Sequence, residues 1–442
     1  MRHDHARRPA RWRISAAIAV LLVPIALVAL AAPPLAEVSW RAHYDAAMQA
    51  YGAHDWTRFR DEMAAASDAI GGHPRMTWNL ACAEARLGSR KAALAQLRTY
   101  VATGMTRDAT ADSDLASLWG DPKFAEINRN LKENARPIAH ASITHRFDDP
   151  DLLPEDVSYD PVTRHWFVSS ITRRQVVEID ADGHELSALG ADDSTRWGVF
   201  AVAIDSTRRR LWFTTVAVAT MMRPVGADSG RTTIECFDLG TRRRLVRLEP
   251  REDGAPHLFG DMALGADGSA YVSDGIAGGV YRVPPGLDSL ETVVPAGVLE
   301  SPQSPAVTAD GRALLIADYT RGIARVDLAS GRLQWLVHGT DLAVMGIDGL
   351  YVSGRDLIAV QNGARPPRVV RFRLDGAGTR VLSAEVLERA SLSLGQPNHG
   401  VLVGSDFVFI GNSGWDRVDE RQLLRSEARA QAPTLLRVTL PR

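Results

Sequence analysis

At 442 residues the chain has room for two or three domains and a substantial core. Its composition, 45% hydrophobic and 24% charged, is that of an ordinary soluble globular protein, and a net charge of −2 supplies no chain-wide field for nucleic acid. The two cysteines, Cys82 and Cys236, fall in different predicted domains and read as buried small hydrophobes that could pair only if those domains dock.

The N-terminus carries Arg2, Arg7, Arg8, Arg11 and Arg13, then an almost wholly apolar run over residues 14–32, broken by Ser15 and Pro24. Residues 1–36 therefore read as a signal peptide with a small-x-small cleavage candidate at Ala29-Leu30-Ala31, or as an uncleaved membrane anchor. Both readings place the remainder outside the cytoplasm: periplasmic or secreted, with membrane contact only through that segment.

Residues 37–136 are rich in Ala, Leu, Arg and Glu and poor in β-branched residues, a helical composition. Trp78, Ala81, Ala85 and Leu87 share one helical face, Gly88 stops the helix, and Ala92, Leu94 and Leu97 resume the pattern. This stretch resembles a tetratricopeptide repeat, in which small Ala positions let paired helices approach closely. An earlier pair is expected over residues 42–70 around Tyr51, Trp56 and Phe59, and residues 112–131 look like a capping helix. Two repeats are fewer than a free-standing array needs, so the helices are expected to dock on the C-terminal two thirds of the chain. They serve either to bind a protein partner or as support. Residues 136–150, with His140 and His145, read as a linker.

From residue 139 to the C-terminus one pattern recurs. It is clearest at residues 303–331, where a short strand ends at Asp310-Gly311, residues 313–317 form an apolar run, and residues 323–328 alternate before Ser330-Gly331. Copies begin at Glu155, Phe200, Gly260, Gln303, Asp348 and Asn398, a spacing of roughly 45–60 residues that suits propeller blades. Stacking such small sheets around an axis buries the faces that each alone would expose. The predicted fold is thus mainly β, a six-bladed β-propeller over residues 139–442 behind a helical domain. A β-sandwich also shows frequent turn signals, but without this longer period.

Those six starting positions converge on the axis, and four are polar: Glu155, Gln303, Asp348 and Asn398. Carboxylate and amide oxygens around one axis form the donor set of Ca²⁺ or a similar divalent ion, although such residues also bond turn backbones. Here Pro154-Glu155-Asp156-Val157, Phe259-Gly260-Asp261, Gln303 and Asp348-Gly349-Leu350 with residues 357–363 resemble motifs of the senescence-marker-protein (regucalcin) and gluconolactonase family, and more distantly of paraoxonases and strictosidine synthase. The resemblance implies Glu155, Gln303 and Asp348 as metal ligands and Asp348 as general base. Where the family has a third-blade ligand Asn this chain has Gly260, with Asp261 placed to substitute. Where it has a substrate-binding Arg this chain has Leu258, with His257 beside it. His257 and Asn398 are the candidate substrate-binding residues. Pro397-Asn398-His399-Gly400 resembles a paraoxonase stretch whose His assists water, which implies His399 as a base; a packed, backbone-bonded ring is the alternative.

No nucleophile elbow, zincin motif, phosphate loop or dinucleotide fingerprint is present. Two functions are expected: a metal-dependent hydrolase of small lactones or esters, or a non-catalytic scaffold that binds through the propeller face and the helices.

Overall fold

The computed structural model describes residues 39–189, 196–222, 225–425 and 431–441, so the leader expected over residues 1–36 lies outside the described residues. Among them no helix is long and apolar enough to cross a membrane.

Five α-helices come first: α1 (Trp40–Gly52), α2 (Trp56–Ile70), α3 (Pro74–Arg86), α4 (Arg90–Ala102) and, after a 3-10 turn at Ser113–Leu118, α5 (Pro122–Asn134). Their ends are written in the sequence. Asp55 and Asp121 cap α2 and α5 by accepting backbone N–H bonds, Pro74 and Pro122 sit where a helix needs no donor, and Gly71 ends α2 at φ +81°. Trp78, Ala81, Ala85, Leu94 and Leu97 enter one core as expected. Ala92 does not; Ala93 is buried in its place, because a residue two before Leu94 lies on the opposite side of the helix. Leu87 lies beyond the end of α3 and is only half-buried.

The same core takes in Ala343 and Ala364, so the helices are seated on the propeller. Two buried arginines fix the joint. Arg368 donates to the Thr103 carbonyl at the end of α4 (3.0 Å) and to Gln361 Oε1 (2.8 Å). Arg389 donates to the Arg136 carbonyl (3.0 Å) just past α5. Each cation meets the carbonyl-rich, partially negative end of a helix. Trp40 and Arg41 add bonds to Glu300.

Six four-stranded antiparallel sheets make up the rest. Their inner strands are Val157–Asp160, Gly198–Asp205, Phe259–Leu264, Pro302–Val307, Gly349–Ser353 and Gly400–Val403. The sequence pattern predicts three strands per blade; the fourth is the outermost. It escapes notice because strands such as Arg244–Leu248 and Leu333–Trp335 are short and solvated, with no fully buried position. The linker expectation also needs correcting. Ser142–Arg146 is a strand that pairs antiparallel with Thr434–Thr439, Ser142 opposite Arg437 and Arg146 opposite Thr434. The N-terminal end of the propeller thus completes the last blade and closes the ring, which leaves the C-terminal strand no open edge. Cys82 and Cys236 are both free and buried.

Candidate metal centre at the propeller axis

The inner strands begin at the axis, and the site is built on those beginnings. In the second, third and fourth blades the register shifts between Val199 and Val202, Phe259 and Met262, and Pro302 and Pro305. Such bulges re-aim successive side chains that a regular strand would send to opposite faces. Two layers of side chains face the axis: bulged strands supply Asp261 and Ser304 to the second, whereas Asp156 and His399 stand just ahead of regularly paired strands. The first holds Glu155, Phe200, Gly260, Gln303, Asp348 and Asn398; the second, one residue further along each strand, includes Asp156, Asp261, Ser304 and His399.

Glu155, Asp348 and His399 bring one ligand-type atom each to within 4.8 Å of one another, so carboxylates nearly two hundred residues apart in the chain do share one point on the axis. One oxygen of each carboxylate is held from behind. Glu155 Oε2 accepts from Asn398 Nδ2 (2.7 Å) and Trp415 Nε1 (2.5 Å). Asp348 Oδ2 accepts from Asn362 Nδ2 (2.6 Å), whose own Oδ1 accepts from the Tyr319 hydroxyl (3.0 Å). With Nδ2 of Asn398 committed to Glu155, its Oδ1 is buried with no hydrogen-bond partner among the described residues, although the side chain is only 1% exposed. A buried amide oxygen without a donor is costly, and this one sits on a side chain bonded to the Glu155 carboxylate.

His399 faces acceptors only. Nδ1 lies 3.1 Å from the Glu155 carbonyl, and Nε2 lies 2.9 Å from Asp261 Oδ1 and 3.2 Å from the Asp348 carbonyl. Both nitrogens therefore donate. Burial alone would lower the ring's pKa, but the Asp261 and Asp348 charges outweigh it and raise the value well above the ordinary one. The general base expected at His399 gives way to a cationic tie between blades, since the ring has no lone pair left to take a proton. The acids are shifted as well. Burial, followed by the Asp348 charge, pushes Glu155 up to about 8; burial is also the leading cause in Asp156, pushed up to about 7, and Asp348, pushed up to about 6.

The remaining predicted residues are spread more widely. Asp261 is engaged by His399. Gln303 donates from Nε2 to Ser301 Oγ (3.2 Å) in its own turn. His257 lies between Asp274 (Nδ1, 2.6 Å) and Asp253 (Nε2, 3.2 Å), both ring nitrogens engaged away from the axial oxygens. At Gly260 a Cβ would meet Leu258 Cδ2 at 3.3 Å, so an apolar side chain leans over the position that has none.

Three residues escape sequence reasoning. Trp415 lies in an insertion of the last blade and has no periodic signal. Asn362 sits inside a family-like motif without a role of its own. Asp156, one residue past Glu155, binds the first blade to the second by accepting from Val202 N (3.0 Å). The second layer lines a cavity of ≈ 280 Å³ that reaches along the inner strands to Val307, Val352 and Leu402.

No family model matches the sequence, and no curated protein matches it. Solved structures of similar shape include the PQQ-bound aldose sugar dehydrogenase of Streptomyces coelicolor (14% identity, TM-score 0.45, covering 68% of this chain and 99% of that one). A streptogramin B lyase (12%, 0.46, 67% and 96%) and the virginiamycin B lyase of Staphylococcus aureus (13%, 0.45, 68% and 99%) are similar to the same degree. At these identities the likeness is one of fold.

Proposed function

We propose that the axial cluster holds a divalent cation, calcium by the hardness of its oxygen donors, and that the protein hydrolyses small esters or lactones. The observation that carries this reading is Asn398 Oδ1, buried and without a partner among the described residues, on a side chain that bonds Glu155, whose carboxylate in turn stands near Asp348 and His399. Glu155 Oε1, Asp348 Oδ1 and Asn398 Oδ1 are the atoms that would hold the ion, because the described hydrogen bonds engage the opposite atom of each side chain. A cation there would polarise a substrate carbonyl. Asp348 receives the proton of the attacking water, and Asn362, braced by Tyr319, keeps its carboxylate aimed. His399 and Asp261 hold the mouths of four blades in register around the reaction.

The charge balance supports the same reading. Glu155, Asp156, Asp261 and Asp348 share one buried imidazolium, so without a cation the surplus is relieved by protons on the carboxyls. The test is thermal. Ca²⁺ at about a hundred times its Kd should stabilise the wild type by about 2.7 kcal/mol, and Asp348→Asn should abolish the shift. If Ca²⁺, Mg²⁺, Mn²⁺ and Zn²⁺ all leave the wild-type melting curve unmoved, the metal site does not exist. The leader reading adds that this chemistry takes place outside the cytoplasm, which a compartment-specific reporter fused after residue 136 would decide.

A second reading, a scaffold that binds a protein partner through the helices, is favoured by one feature. A cavity of ≈ 440 Å³ opens among α1, α3 and the 3-10 turn, with Met48, 40% exposed, on its lining.

A further inference from the structure

The mouth of the site is chemically two-sided. Glu155, Asn398, Asp348 and Gln303 line the arc formed by the first, sixth, fifth and fourth blades. The second and third blades present Phe200 and, over Gly260, Leu258. The insertion in the last blade crosses to this apolar side. Trp415 is fastened to Glu155, and Arg417, almost fully buried, donates to Asp151 Oδ1 (2.7 Å) and to the Pro150 carbonyl. Val418 and Leu424 then pair across a tight hairpin turned by Asp419, whose carboxylate accepts from Arg421 N (2.9 Å) and Leu423 N (3.0 Å). Trp415, Val418 and Leu424 pack with Phe200, Val218 and Leu258 in one apolar cluster. A sixth-blade hairpin thus reaches past the first blade and sets its two half-buried apolar residues in the cluster of Phe200 and Leu258, with Trp415 joining that cluster to Glu155.

We infer that this side of the mouth is a subsite for the hydrocarbon arm of the substrate, and that Val418 and Leu424 occupy it when no substrate is bound. The inference rests on the hydrolase reading and narrows it: the ester or lactone carries an alkyl or aryl chain of several carbons and is not a polyhydroxylated sugar lactone. Phe200 and Leu258 are the specificity-determining residues. A polyol arm would have to leave its hydroxyls unpaired against their side chains, whereas an alkyl arm exchanges one apolar contact for another.

The experiment uses the product side of the reaction and so does not depend on turnover. Butanoate, hexanoate, octanoate and gluconate are titrated calorimetrically into the full chain with and without Ca²⁺. Affinity should rise about two- to fourfold per added methylene, with gluconate weaker than hexanoate. Leu258→Arg should flatten that slope, and the gentler Leu258→Ala should reduce it if the arginine variant fails to fold. Val418→Ser combined with Leu424→Ser should tighten octanoate several-fold, because the place is then held less firmly against the ligand. A flat chain-length series, gluconate binding as well as hexanoate, or no carboxylate binding at all would overturn the subsite. Hexanoyl-ester turnover is measured alongside. A steep binding slope without turnover removes the hydrolase reading and leaves the subsite, while turnover with a flat slope does the reverse.

Discussion

Two acidic clusters in this chain, one half-buried and one fully buried, resemble each other in residue type and differ in what their atoms already do. In the helical region Cys82, Asp112 and Asp114 stand within ligand distance of one another, as Glu155, Asp348 and His399 do at the axis. Among the helices the acceptors have donors. Asp112 Oδ2 accepts from Trp78 Nε1 (2.8 Å), Asp112 Oδ1 from Asp114 N (3.2 Å), and Asp114 Oδ2 from the Tyr51 hydroxyl (2.9 Å). Arg86 and Arg107 supply cations, and burial with the two Asp charges keeps the Cys82 thiol protonated. At the axis three acids shifted toward the protonated form surround one imidazolium, and an amide oxygen has no donor. The helical cluster is a finished joint, whereas the axial one sets a single imidazolium against several crowded acids. Ligand-type residues in proximity do not make a site; unspent acceptors do.

The largest expected effect falls on the finished joint. Asp112→Ala strands the indole N–H of fully buried Trp78, removes the cap of the 3-10 turn and unpairs Arg107, so it should cost about 2–4 kcal/mol in urea unfolding, with or without metal. Arg368→Met comes next. Burial first and then Arg389 push its guanidinium down to about 10, and its described bonds go to neutral oxygens, Gln361 Oε1 and the Thr103 carbonyl. Losing them should cost about 2–3 kcal/mol and expose the α4 terminus to proteolysis before the propeller. A variant as stable as the wild type would mean that the helices are held by apolar packing alone.

Asp348→Asn is expected to do the opposite at the unfinished cluster. It keeps an acceptor for Asn362 and removes one of the crowded charges, so metal-free stability should rise by about 1–2 kcal/mol while the calcium-dependent shift disappears. A loss of metal-free stability would show that the axial acids are as well satisfied as the helical ones.

Much of this contrast is legible in the sequence, and the illegible part has definite causes. Apolar runs such as Ala313–Asp318 after Asp-Gly turns mark the second strands, because a strand buried on both faces needs no alternation. Glu155, Asp348 and Asn398 are found from their equal offset in each repeat. The outermost strands, the closing strand Ser142–Arg146 and the exposed alternation within it carry too little apolar signal to read. Asp156 stays hidden because it stands just ahead of its strand, Val157–Asp160, where the alternation rule does not reach, and its partner is a backbone N–H of the next blade. Trp415 reaches Glu155 across 260 residues of chain, and the state of His399 is set by backbone carbonyls of two other blades; neither leaves a local pattern.

His73 carries the smallest effect and tests whether a finished hydrogen bond also fixes a charge state. Its Nδ1 accepts from Arg75 N (3.0 Å) at the start of α3, a bond that only the unprotonated nitrogen can make. Burial, then the nearby Arg75 and His338 charges, push its pKa down to about 4. The unfolded chain, with an ordinary histidine near 6.5, takes up the proton first as pH falls. The contribution of the neutral ring is therefore complete above about pH 6.5, shrinks as pH falls from there to about 4, and changes no further below. The full window corresponds to about 3 kcal/mol, which water at the half-buried ring should reduce to about 1 kcal/mol. His73→Asn keeps a side-chain acceptor at the cap and cannot titrate. The difference in melting temperature between wild type and variant should therefore open in the variant's favour between pH 6.5 and 4, whatever the axial acids do in both. A difference that stays constant across that range would mean that His73 is charged in the folded protein and that its cap bond is made by something other than a lone pair on Nδ1.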